Sequence, residues 1–202
     1  MELFKPSREV LEMICESKKD LIFSHEIFTF SSLNNMHELL SLYCSGLFEK
    51  IIHFYRDEGI ALDEKSKRRL NYQGVYNVIG ESFKNWVDHA PENSNLLAGS
   101  FFGSKGICYG FQDGGDFFKT PKIKKQLENK VYFKEFDSNS RGDNCRSGFN
   151  QHIFPCSDFI EVDSKKGVLY CVQLKKNIIA PEGEHGSAYF DKLRKEKGII
   201  NE

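Results

Sequence analysis

Two long stretches, residues 35–57 and 63–89, repeat apolar side chains at helical spacing. In the first, Leu39, Leu40, Tyr43, Leu47, Ile51 and Phe54 form one stripe, and Gly59 ends it. The second stops at Ala90-Pro91, because a residue before proline is pushed out of helical backbone. A helix with one apolar stripe must bury it against another layer, and the flanking segments offer a sheet. Residues 21–30 (LIFSHEIFTF) read as a strand; 96–102 and 107–111 read as a hairpin around Gly103-Ser104-Lys105-Gly106. Residues 159–162 and 168–174 read as a closing hairpin around 163–167. Shorter helices are expected at 8–18, capped by Ser7 after Pro6, at 122–129, near Ser147, and at 187–195. This order does not alternate as βαβ units. The expected fold class is α+β: a two-layer α/β sandwich, with helices on one face of a mixed, mostly antiparallel sheet. Residues 1–20 read as an N-terminal helical extension, 21–176 as the main domain and 177–202 as a charged tail.

Composition narrows the function classes. The 202 residues suffice for one domain with a sizeable core. The net charge is −1, so no global field draws the chain to nucleic acid or to an anionic membrane. The apolar runs are too short to span a bilayer, and MELFKPSREV lacks the apolar stretch of a signal peptide. A cytoplasmic protein is expected. Six cysteines are present with no CxxC pair, which leaves a zinc ribbon unsupported and points to reduced, buried thiols.

The segment 74–89, GVYNVIGESFKNWVDH, carries the first candidate chemistry. At about 100° per residue, Gly74, Asn77, Glu81, Asn85 and Asp88 fall in one narrow stripe. Val75, Ile79, Phe83 and Trp86 fall opposite, as a core face. A solvated stripe would favour better helix formers than Gly and Asn. Either water or a closely approaching ligand could meet this one. Glu81 and Asn85 lie one turn apart: a carboxylate can take a proton, and an amide oxygen is a hard ligand for magnesium. After the hairpin, Asp113-Gly114-Gly115-Asp116 reads either as a turn or as a strand-end acid with glycines that let a ligand approach. Gly148 could open a phosphate-facing helix start. Lys119, Lys122, Lys124, Lys125, Lys130, Lys134, Arg141 and Arg146 read as a solvated surface or as a cationic lid.

The order of these pieces resembles the GHKL (Bergerat-fold) ATPase superfamily, the histidine-kinase-like ATPase domain, over about residues 21–174. The resemblance rests on Glu81-x3-Asn85-x3-His89, a hairpin, Asp113-x-Gly115, a polar insert, Gly148 and a last hairpin. It implies an ATP-binding domain with ATP and Mg2+ as cofactors. Glu81 would be the general base and Asn85 the magnesium ligand. Asp88 and His89 would lie near the phosphates, and Asp113 and Gly115 at the adenine. Gly148 would be a remnant of the glycine-rich lid end. Phe117 and Val168 stand where the family has a second glycine and a Thr or Ser. A sensor histidine kinase would need a dimerising hairpin with a phosphoacceptor, and His25-Glu26 and His37-Glu38 lack its surroundings. The compact layout is closest to the anti-sigma-factor serine kinases. That implies signalling by phosphoryl transfer to a protein partner, substrate or antagonist, and pairing of the chain with itself. The contrasting expectation is a non-catalytic partner-binding module with a degenerate nucleotide pocket.

Overall fold

The computed structural model describes residues 5–17, 21–29, 35–89, 91, 94–129 and 149–178. The expected helix at 187–195 and most of the polar insert lie outside them. Helix α1 (Arg8–Ile14) is followed by β1 (Ile22–Thr29), α2 (Met36–Asp57) and α3 (Glu64–Arg69). A π-helical segment, Leu70–Ile79, joins α3 to α4 (Gly80–His89) without a break. Then come β2 (Asn95–Gly103), β3 (Gly106–Gln112), a 3-10 turn (Phe117–Lys119) and α5 (Pro121–Glu128). Helical turns at Phe149–Ile153 and Phe154–Cys156 lead into β4 (Phe159–Asp163), β5 (Val168–Leu174) and a last turn, Lys175–Ile178.

The five strands form one sheet in the order β1-β2-β3-β5-β4. All four pairings are antiparallel, where a mixed sheet was expected. The reason is strand order: β3 and β4 run parallel, but the crossover between them leaves β5 in the middle, so every adjacent pair is antiparallel. Residues 104–105 close the first hairpin, with Gly103 opposite Gly106.

Alternation along each strand gives the sheet two apolar faces. One carries Ala98, Phe102, Ile107, Tyr109, Phe111 and Leu169, under Leu47, Ile51, Val75, Ile79, Phe83 and Trp86 of the long helices. The other carries Leu97, Phe101, Cys108, Tyr170 and Val172, and α1 covers it with Val10 and Ile14. The long helices thus take one face as expected, while α1 adds a cover on the second. Helix α1 starts where Ser7 Oγ accepts the Val10 N–H at 3.2 Å. It ends at Ile14, short of the expected residue 18, because the hairpin turn caps it. Lys105 donates its backbone N–H to Ile14 O at 2.9 Å and its ammonium to Glu12 O at 2.6 Å. The five described cysteines form no disulfide and are buried, as expected for structural thiols.

Candidate functional site

The chemistry-bearing helix begins at Asp63, whose Oδ1 accepts the Ser66 N–H at 2.7 Å. Its apolar stripe behaves as the periodicity requires: Val75, Ile79, Phe83 and Trp86 are all buried. On the polar stripe Asn77, Glu81 and Asn85 are half-buried and Asp88 is exposed. His89 ends α4, and its side chain lies outside the described set, as does Gly148.

Gly74 does not belong to that stripe. Residues 70–79 bond i to i+5, so each turn holds more residues than in an α-helix and positions before Gly80 rotate out of phase. Gly74 faces the sheet instead. A Cβ there would overlap Gln173 Oε1 and come within 2.5 Å of Tyr109 Oη. Tyr109 donates to Gln173 Oε1 at 3.4 Å, and Gln173 Nε2 donates to Cys156 O at 2.7 Å. Asn77 Nδ2 reaches Cys156 Sγ at 3.8 Å. This buried polar chain fixes the height of the helix above β3 and β5.

Asp113 follows β3 directly. Its Oδ1 accepts the Gly115 N–H at 2.9 Å, an Asx-type turn that holds the carboxylate at the strand end. Burial pushes its carboxyl above the usual range, opposed by the Gly115 hydrogen bond. Gly114 has φ +74°, a left-handed conformation that favours glycine. The loop touches α4 through one residue that sequence reasoning missed. Trp86 Nε1 donates to Ser94 Oγ at 3.0 Å, and a Cβ on Gly114 would lie 3.5 Å from Ser94 Cβ. On its other side a Cβ on Gly167, in the β4–β5 turn, would lie 3.6 Å from Gly115 O. Ser94 gives no signal of its own in the sequence, because its role depends on Trp86 and Gly114 meeting across the fold.

The third piece is the helical turn at Phe149–Ile153, which packs on α4 and the π segment. Phe117, where the resemblance expects a second glycine, stacks on Phe149 with ring centroids 6.1 Å apart and planes 26° off parallel. The structure therefore brings together α4, the Asp113 loop and the turn after residue 148. Val168 is buried in the cluster beneath α1, so its side chain points to the sheet face opposite the α4 stripe. Two of the expected lid cations serve local structure. Lys119 pairs with Asp116 at 3.0 Å. Lys124 pairs with Glu128 at 3.0 Å and donates to Val162 O at 2.6 Å. Lys122 and Lys125 are exposed on α5. Lys130, Lys134, Arg141 and Arg146 lie outside the described residues.

One buried donor on α4 lacks a partner among the described residues. Asn85 Nδ2 is buried with no hydrogen-bond partner among the described residues, and such an amide ordinarily finds one. That group is an N–H donor and suits an anion such as a phosphate oxygen, whereas a magnesium ion would take the amide oxygen of Asn85. No cluster of three or more His, Cys, Asp or Glu occurs among the described residues, and such a site needs none. No described helix is long and apolar enough to cross a membrane. Compared with protein-family models, with curated proteins and with solved structures, the chain finds no match in any of the three.

Proposed function

We propose that the chain binds ATP with magnesium between α4 and the Asp113 loop, and passes a phosphoryl group to a hydroxyl of a partner protein. The observation that carries this reading is a convergence. A carboxylate is kept part-buried against the cost of its charge, and its loop meets, through Ser94 and the core-facing Trp86, the helix whose other face bears Glu81 and Asn85. In this reading Asp113 accepts a hydrogen bond from the adenine amino group, as an ionised carboxylate can. Gly115 keeps the backbone close, and Asp88 and His89 flank the phosphates. Asn85 would hold the magnesium, which neutralises phosphate charge when bound. Glu81 accepts the hydroxyl proton of the partner as its oxygen bonds to the γ-phosphorus and ADP leaves.

Calorimetric titration of the purified protein with ATP and magnesium tests this. Asp113→Ala and Asn85→Ala are each expected to weaken binding by about tenfold or more, the cost of a charge-assisted hydrogen bond or a metal ligand. Glu81→Ala is expected to keep binding and to lose ADP formation. No binding by the unaltered protein at millimolar ATP ends the nucleotide reading. A second reading, a partner-binding module with a degenerate pocket, is favoured by one contact: the Phe117 ring stacked on Phe149 where the family has a glycine. It expects ADP formation to be absent with Glu81 in place.

A further inference from the structure

Strand β1 closes one edge of the sheet, and no described strand pairs with its outer side. Edge strands in monomers are usually blunted by Lys, Pro or a bulge. Strand β1 has no Lys, Pro or bulge, carries one charge at Glu26, and pairs with β2 without interruption over eight residues. Apolar side chains gather around this edge: Ile22 is 42% exposed, Ile27 39%, and on the neighbouring α2 Leu39 is 38% and Leu42 64% exposed. A groove of about 320 Å3 runs between β1 and α2, lined by Ile27, Leu39, Leu42, Gly46 and Lys50 among others. A Cβ on Gly46 would meet nothing within 4 Å. A glycine inside a 22-residue helix costs about 1 kcal/mol relative to alanine, and no contact among the described residues explains it.

We propose that a second copy of the chain is the occupant, adding its β1 antiparallel to this edge with His25 on the two-fold axis. The register follows from chemistry. Residues opposite each other across an antiparallel pair lie on the same sheet face. Phe23, His25 and Ile27 share one face, and Ile22, Ser24, Glu26 and Phe28 the other. A two-fold axis must then pass through a residue of the strand. Centred on Glu26, the pairing sets two carboxylates against each other, which is unfavourable. Centred on Ser24, it sets Ile22 against Glu26 and Phe23 against His25. Centred on His25, Phe23 faces the partner's Ile27, Ile22 faces the partner's Phe28, and Ser24 faces the partner's Glu26. Lys50 Nζ already donates to Ser24 Oγ at 3.0 Å, so its ammonium stands beside that incoming carboxylate, twice by symmetry. The stripe Leu39–Leu42–Gly46 then meets its own copy across the axis, and Gly46 lets the two helices approach. The interface covers the four exposed apolar residues together.

The proposal does not rest on nucleotide binding, and its test uses the full chain without nucleotide. Sedimentation is expected to show twice the chain mass. Ile27→Lys, at an exposed position, is expected to give a folded monomer by circular dichroism. Glu26→Lys and Lys50→Glu are each expected to weaken the dimer about tenfold or more, and the double reversal to restore it. His25→Cys is expected to form a disulfide between copies under mild oxidation, because a residue on the axis faces itself at a distance a disulfide spans. A monomer at the highest attainable concentration overturns the proposal. So does a dimer that Ile27→Lys leaves intact, or one in which Cys at position 25 does not cross-link.

Discussion

Asp113 is the residue at which stability and the proposed function pull apart. Its carboxyl is raised above the ordinary value of 3.8, first by burial, while the Gly115 N–H pulls the other way. A raised folded-state value means that the native state holds the proton more tightly than the unfolded chain. Stability from this group is therefore fully present below about pH 4 and is lost as pH rises through the folded value. Asp113→Asn keeps an oxygen to accept the Gly115 N–H and carries no charge to bury. Thermal melts are expected to show the variant more stable than the parent at neutral pH, with the gap closing toward pH 3 to 4. The same variant is expected to bind ATP less well, since an amide replaces the acceptor-only carboxylate. Opposite signs in the two measurements mark a group retained for a ligand rather than for the fold. A pH-independent difference in melting would show that the charge costs nothing there. Buried thiols behave differently: burial alone pushes Cys44 up to about 12, which leaves it inert.

At the scale of the element, the helix from Asp63 to His89 is one rod with two windings. Its α-helical end presents Glu81 and Asn85, both half-buried, on the side opposite Phe83 and Trp86, as simple periodicity expects. Its π-helical part turns Gly74 onto the sheet, where the Tyr109–Gln173–Cys156 chain leaves no space for a side chain. Helix propensity alone would make Gly74→Ala stabilising by about 1 kcal/mol. Packing reverses the sign. Displacing buried, hydrogen-bonded Gln173 is expected to cost about 1–3 kcal/mol, read as a lower denaturation midpoint at unchanged m. The variant is also expected to weaken ATP binding without touching the ligand, because it lifts α4 relative to Asp113. A gain in stability would show that the close approach relaxes freely.

At the scale of the whole molecule, one sheet serves two cores. The long helices cover one face and α1 the other, and Lys105 in the β2–β3 turn ties α1 to the sheet. The small core is closed by Val10 and Ile14, both at 0% exposure. Ile14→Ala is expected to cost about 2–5 kcal/mol and to lower a single melting transition, since every strand from β2 to β5 borders both cores. Loss of α1 as a separate early step, with the rest of the protein melting unchanged, would show it to be an independent appendage.

The elements were legible because their signals are local. Ser7 as a cap, Gly59 as a helix stop, alternation in 96–102 and 168–174, and the Gly103–Gly106 turn all act within a few residues. The paired apolar and polar stripes of residues 75–88 were legible for the same reason. Three features were decided only by the tertiary structure. The stop of α1 at Ile14 depends on Lys105, ninety residues away in the chain; the facing of Gly74 depends on a π winding and on Gln173; the meeting of α4 with the Asp113 loop depends on Ser94 between Trp86 and Gly114. Periodicity reports which side of an element is apolar, because burial selects residue types along one axis. It carries no information on the distance between two elements, which side-chain volumes and hydrogen bonds set only once both are in place.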